Sequence, residues 1–265
     1  MTPLFDSKGW RIPQAGYRTF SRSPKYYYQF GEFNDIENAH RQYLTYYAEE
    51  CISKDLFEST YRGIISGIKE DPEIANLCEG VCLPFFIPKG ENCQDLGASF
   101  DHTLSKLEGG IFNPNNLPFK VSFQHYEKLK GQIDAQACPR LRGLYSDRAT
   151  HDIVGAYFPN ALLEYDVATQ RLQMDGLSRM PTMCLNGFLD TISVLIGHPK
   201  MYLNSDKYSP ITILSGEKLS DERFILCLKS YGLQTEFWCL SQKLTEDTYQ
   251  VSEQWTAGIS VYCCV

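Results

Sequence analysis

Between Met180 and Pro199 the apolar residues Leu185, Phe188, Leu189, Ile192, Leu195 and Ile196 recur at i, i+3, i+4 and i+7, with Asn186, Asp190 and Thr191 on the other side. Such a stripe has to be buried against other elements, so the stretch predicts a core-facing helix that the rest of the chain must surround. Pro181 suits the first helical position and Gly197-His198-Pro199 suits the end. On this reading Cys184 falls in the opening turn. Unpaired N–H groups and the helix dipole there favour the thiolate, which is the nucleophilic form of cysteine.

Helical patterns dominate the first half. Asn34, with Glu37 three residues on, caps a helix to about Cys51, whose Ile36, His40, Tyr43, Tyr47 and Cys51 share a face. Ser53 opens a second, with Leu56, Phe57, Thr60, Ile64 and Ile68 on its apolar side. Gly63 and Gly67 within it each cost about 1 kcal/mol relative to Ala. Asp71-Pro72-Glu73 predicts a helix to about Cys82, and Ser99 to Leu107 and Ser122 to Lys130 predict two short ones. Pro84 to Gly97 and Gly109 to Pro118, rich in Pro, Gly and Asn, read as loops, the second a candidate functional loop.

Strand signals enter after Leu141. Ala161 to Asp166 and Arg171 to Met174 predict a hairpin, Pro210 to Leu214 a short strand, and Ser220 to Tyr231 a helix. Three strands follow, Gln234 to Gln242, Thr248 to Trp255 and Ile259 to Cys263. The order predicts an α+β fold: a helical N-terminal half (residues 1–139) packed with a C-terminal region (140–265) of antiparallel strands and two or more helices, in one continuous globular unit.

Charge narrows the partners. With 25 Lys and Arg against 32 Asp and Glu, the net charge is -7. A nucleic-acid binder carries a basic footprint, so no nucleic-acid partner is expected. No apolar run approaches the roughly 18 residues of a membrane helix, and Met1 to Phe30, polar and broken by Pro3, Pro13 and Pro24, reads as neither signal peptide nor anchor. Ten cysteines with no N-x-Ser/Thr sequon predict free thiols in a reducing cytoplasm. Cys78 and Cys82, with Cys93 and Cys138 beyond them, lack the knuckle spacing of a zinc site, so neither metal nor other cofactor is expected.

Phosphate-loop, dinucleotide, zinc-protease, serine-hydrolase and kinase motifs are absent. Three readings remain. In the first, Cys184 is a nucleophile that needs a base. His198 sits at the far end of its helix, roughly 20 Å away at 1.5 Å per residue. His151 is preferred over His40, His102 and His125 because it precedes the expected hairpin, with Asp152 or Asn186 to orient it. That set predicts a thiol hydrolase or acyl transferase acting on a small-molecule or peptide substrate.

In the second, Arg142-Gly143, Gly187 to Thr191, and Tyr231 followed by Gln234-Thr235-Glu236 resemble, in that order, the motifs of ADP-ribosyltransferases. The resemblance covers these short runs alone, and Asp190 and Ile192 stand where that family has two serines. It implies a transferase that holds an anionic nucleotide or diphosphate donor with Arg142, Glu236 and Tyr231. The third reading is a non-enzymatic ligand- or partner-binding protein. It draws on the amphipathic aromatics Tyr26, Tyr27, Tyr28, Phe30, Tyr43, Tyr46 and Tyr47, and on Arg140, Arg142 and Arg148 as holders of a phosphate or carboxylate.

Overall fold

The computed structural model describes residues 2–16, 28–29, 31, 33–90, 95–109, 119–122, 128–134, 139–163, 165–175, 177, 180, 182–202, 209–231, 234–241, 244–245, 248–249 and 255–265. Its helices are α1 (Ile36–Tyr47), α2 (Lys54–Glu70), α3 (Leu96–Gly109), α4 (Pro139–Arg148), α5 (Val167–Asp175) and α6 (Phe188–Gly197). Its strands are β1 (Leu83–Ile87), β2 (Phe119–Ser122), β3 (Ile153–Phe158), β4 (Met183–Leu185), β5 (Ile211–Ile213), β6 (Phe224–Tyr231), β7 (Gln234–Ser241), β8 (Leu244–Thr245), β9 (Thr248–Tyr249), β10 (Trp255–Thr256) and β11 (Ile259–Cys264).

The fold is α+β. One sheet runs β1-β3-β11-β4 and is antiparallel throughout; a second runs β10-β5-β6-β7-β2, antiparallel at its centre and parallel at both edges; β8 and β9 form a separate ribbon. Both sheets take an edge strand from the helical first half, β1 in one and β2 in the other.

Strand alternation divides the core. Ala156, Phe158, Met183, Leu185, Ile259 and Val261 face Ile64 and Ile68 of α2 and Met174 of α5. Tyr157, Cys184 and Tyr262 point to the opposite side, into the cluster that holds α6 and Tyr43 of α1. That cluster continues into Leu226, Leu228, Phe237 and Cys239 of the second sheet. Helix α6 therefore lies at the junction of the two sheets, and every one of its residues is buried. At its first position Phe188 stacks on Phe100 of α3 at 4.0 Å and meets Phe237 of β7 edge-on at 5.3 Å.

The apolar stripe is a helix, but it starts at Phe188, four residues beyond Cys184. Gly187 is the extended N-cap residue, and Cys184 belongs to β4. Phe224 to Tyr231 alternates in a strand rather than forming a helix. The expected hairpin near residue 165 is replaced by α5, whose first turn is capped by Asp166 Oδ1 accepting from Thr169 N at 2.7 Å. The start of the expected loop Pro84 to Gly97, read as a loop for its Pro, Gly and Asn content, belongs instead to β1 (Leu83–Ile87). Residues 71–82 give turns and a short 3-10 helix, Ala75–Glu79, rather than an α-helix. Helix α1 is capped by Asp35, one residue after the expected Asn34. Most of the Asn-rich segment 109–118, residues 123–127 of the expected Ser122–Lys130 helix, and residues 250–254 lie outside the described residues.

Candidate functional site

Cys184 occupies the middle of β4, 1% exposed, opposite Ser260 of β11. Ser260 also pairs with Tyr157 of β3, which places Cys184 level with Tyr157. His151 precedes Tyr157 by six residues on the same chain segment. At about 3.3 Å per strand residue that is roughly 20 Å along the sheet, far outside hydrogen-bond reach. His151 is exposed, with Nδ1 2.8 Å from the Thr150 hydroxyl. Asp152 is occupied at the strand ends: Oδ1 accepts from Lys89 N at 2.6 Å, and its carbonyl accepts from Val265 N at 2.9 Å. The structure does not assemble Cys184, His151 and Asp152 into a site, because the helix that was to present the thiol begins too late.

The second expected set is also apart. Arg142 is exposed on α4, which packs on β4 and β11. Glu236 lies on β7 in the other sheet and pairs with Lys229 directly across on β6, at 3.0 Å. Tyr231 ends β6, its backbone opposite Gln234.

What α6 presents at its N-terminus is a pair of buried carboxyl groups. Asp190 Oδ1 accepts from Gly187 N at 2.8 Å and Oδ2 accepts from the Ser260 hydroxyl; Glu217 Oε1 accepts from Phe188 N at 2.9 Å and from the Tyr145 hydroxyl. Two of the orphan donors of the first turn are thereby satisfied. Burial raises Asp190 to about 6 and Glu217 to about 7, and the donated hydrogen bonds hold them from going higher. Asn186 completes the packing, donating from Nδ2 to Ile213 O at 2.8 Å. These groups serve one another and the helix end.

An open cavity of about 320 Å³ lies on the other side of α6. Leu189, Ile192 and Ile196 form its floor, one face of α6 at i, i+3 and i+7. Tyr46 and Tyr47 come from the last turn of α1, Ile87 and Pro88 from the end of β1, Thr103 and Lys106 from α3, Arg148 from the last residue of α4, and Glu50 from the short turn after α1. Ala48, at φ 51°, ends α1 just beyond the two tyrosines. The Tyr47 ring is fixed edge-on against Tyr46 at 4.9 Å and Phe86 at 5.8 Å. Burial and the neighbouring Tyr43 and Tyr46 push the Tyr47 hydroxyl well above its ordinary pKa, so it stays protonated as a donor.

Of the aromatics singled out in the sequence, Tyr46 and Tyr47 thus line a cavity together with one of the three arginines. Tyr43 is buried behind them, donating to Ser193 O at 3.1 Å. Tyr28 is buried near Thr212, at 3.3 Å, and Tyr26, Tyr27 and Phe30 lie outside the described residues. Arg140 donates to Met180 O and Met183 O at 3.3 and 3.2 Å. Lys106, Thr103 and the outward face of α6 carried no sequence signal for a site, since each reads alone as ordinary helix surface or core.

Among the described residues no group of three His, Cys, Asp or Glu side chains is placed to hold a metal ion, and no helix is long and apolar enough to cross a membrane. No protein-family model, no curated protein and no solved structure matches the chain.

Proposed function

We propose that this protein binds a small molecule in the cavity between α1, α3, α4 and α6. The observation that carries the reading is the convergence, on a preformed cavity with an apolar floor, of two tyrosine rings and an arginine that lie far apart in the chain. A ligand would rest its body on Ile192 and Ile196, meet the Tyr46 and Tyr47 rings on one side, and reach Arg148 with a polar group. The eight described cysteines are free thiols, which suits a cytoplasmic setting. A thiol hydrolase or acyl transferase gains no support from the surroundings of Cys184, a buried strand residue far from His151. Nor does a donor-binding transferase gain any from Arg142 and Glu236.

The test is methyl NMR on isoleucine-labelled protein titrated with indole and with naphthalene-2-carboxamide. Saturable shifts are expected at Ile192, Ile196 and Ile87, with Ile213 and Ile225 of the second sheet unmoved. Shifts of equal size at all five, or none at the first three, would remove the cavity as a binding site.

A further inference from the structure

The cavity carries a charge arrangement that narrows its ligand. Arg148 is half-buried and held in place: Nε donates to Pro88 O at 3.2 Å, and its own carbonyl accepts from Gly90 N at 3.1 Å. The guanidinium lies flat on the Gly90 backbone, where a Cβ would overlap Nη2. With Nε engaged, Nη1 and Nη2 make no hydrogen bond to any described residue. Of the described acids near it in sequence, Asp147 accepts from the Tyr262 hydroxyl at 2.9 Å and Asp152 from Lys89 N, while Glu50 lines the same cavity.

A fixed, partly desolvated guanidinium whose two terminal nitrogens have no hydrogen-bond partner among the described residues has the geometry that grips a carboxylate through paired hydrogen bonds. Lys106 adds a second positive charge to the wall and Glu50 a negative one, so the lining carries a net single positive charge within a chain of net charge -7. Against this stand two aromatic rings and an aliphatic floor, which favour a flat apolar body. A cavity near 320 Å³ is at the small end of ligand sites, suited to one or two fused rings.

We propose that the ligand is a small aromatic monocarboxylate, its carboxylate on Arg148 and its ring system between Tyr46, Tyr47 and Ile192. This rests on the cavity being a small-molecule site, and it specifies what that site selects.

The experiment compares 2-naphthoate with naphthalene-2-carboxamide, which has the same shape without the charge, and with inorganic phosphate, which has charge without the body. Each is titrated by the same methyl shifts into the native protein, Arg148→Met and Gly90→Ala. Native protein is expected to bind 2-naphthoate about tenfold or more tighter than the amide, and phosphate weakly or not at all. Arg148→Met should bring acid and amide to equal affinity. Gly90→Ala keeps the charge but pushes the guanidinium off its seat, and should weaken 2-naphthoate several-fold while leaving the amide unchanged.

Equal binding of acid and amide by native protein would overturn the carboxylate assignment while leaving the cavity as a binding site, as would an unchanged preference in both variants. Phosphate binding as tightly as 2-naphthoate would overturn the aromatic part. If neither naphthalene shifts Ile192 or Ile196, the cavity reading and this inference fail together.

Discussion

Asp190 sits with no exposed surface at the N-terminus of α6, bonded to Gly187 N and the Ser260 hydroxyl. Replacing it with Ala leaves both donors buried without a partner, and such a loss costs about 1–3 kcal/mol. Urea unfolding of Asp190→Ala should show that drop with an unchanged slope; a loss below about 0.5 kcal/mol would mean that water reaches the helix end. From periodicity alone Asp190 belongs to the polar face of a helix and should be exposed. The sequence pattern cannot reveal that a helix between two sheets buries both its faces, with Asp190 bonded to Ser260, 70 positions away, and Phe188 N to Glu217, 29 positions away. Gly63 and Gly67 are the opposite case, legible from the start. Both lie on the exposed side of α2, with nothing within 4 Å of where a Cβ would stand. Gly67→Ala should therefore stabilise the protein by about 0.5–1 kcal/mol, read as a higher unfolding midpoint.

At the scale of elements, the outer edge of β1 is closed by side chains in place of a strand. The Ser193 hydroxyl of α6 accepts from Phe86 N at 3.1 Å and donates to Phe86 O at 2.5 Å, while Pro84 O accepts from the Tyr43 hydroxyl at 3.3 Å and from His198 Nε2 at 2.8 Å. Pro84 brings no N–H to that edge, which is why a proline is tolerated there. The same proline contributes to the segment's reading as a loop, because a sequence does not say which edge a helix will cover. Ser193→Ala should cost about 1–3 kcal/mol by orphaning both Phe86 groups, and hydrogen exchange at Phe86 N should accelerate more than at Leu83 or Phe85. No change in exchange at Phe86 would mean that Ser193 does not close the edge. Helix α5 and strand β6 were mistaken for a related reason. Each is short or uniformly apolar, and FILCLKSY fits either period until its pairing with β7 is known. Helices α1, α2 and α6, with long stripes, were readable as helices. The cavity was half readable: the tyrosine pair and Arg148 stood out as residue types, and only the packing of four helices around the end of β1 brings them together.

For the molecule as a whole, three buried titratable groups act against one another across the neutral range. Burial raises Asp190 to about 6 and Glu217 to about 7, from roughly 3.9 and 4.3 in an unfolded chain. The folded state therefore holds protons that the unfolded state has released, so the stability these groups contribute at low pH is lost as pH rises from about 4 to about 7. His198 runs the other way. Burial lowers it to about 4, against the upward pull of its backbone contacts at Pro84 and Asn34, and its Nε2–H donates to Pro84 O at 2.8 Å, as a neutral ring can. Its contribution is full above the unfolded value of about 6.5 and is lost as pH falls toward 4. Between about pH 4.5 and 6 it offsets one of the two carboxyls, and above about 6.5 its unfolded-state titration fades, so that Glu217, with the higher folded value, is the main source of slope. The melting temperature should accordingly fall between pH 6.5 and 8. Glu217→Gln keeps an acceptor for Phe188 N and the Tyr145 hydroxyl but cannot ionise, so its melting temperature should be nearly flat over that interval and exceed the native protein's most at pH 8. A native profile that rises from pH 6.5 to 8, or a Glu217→Gln profile parallel to it, would show that Glu217 is not the buried group that releases its proton there.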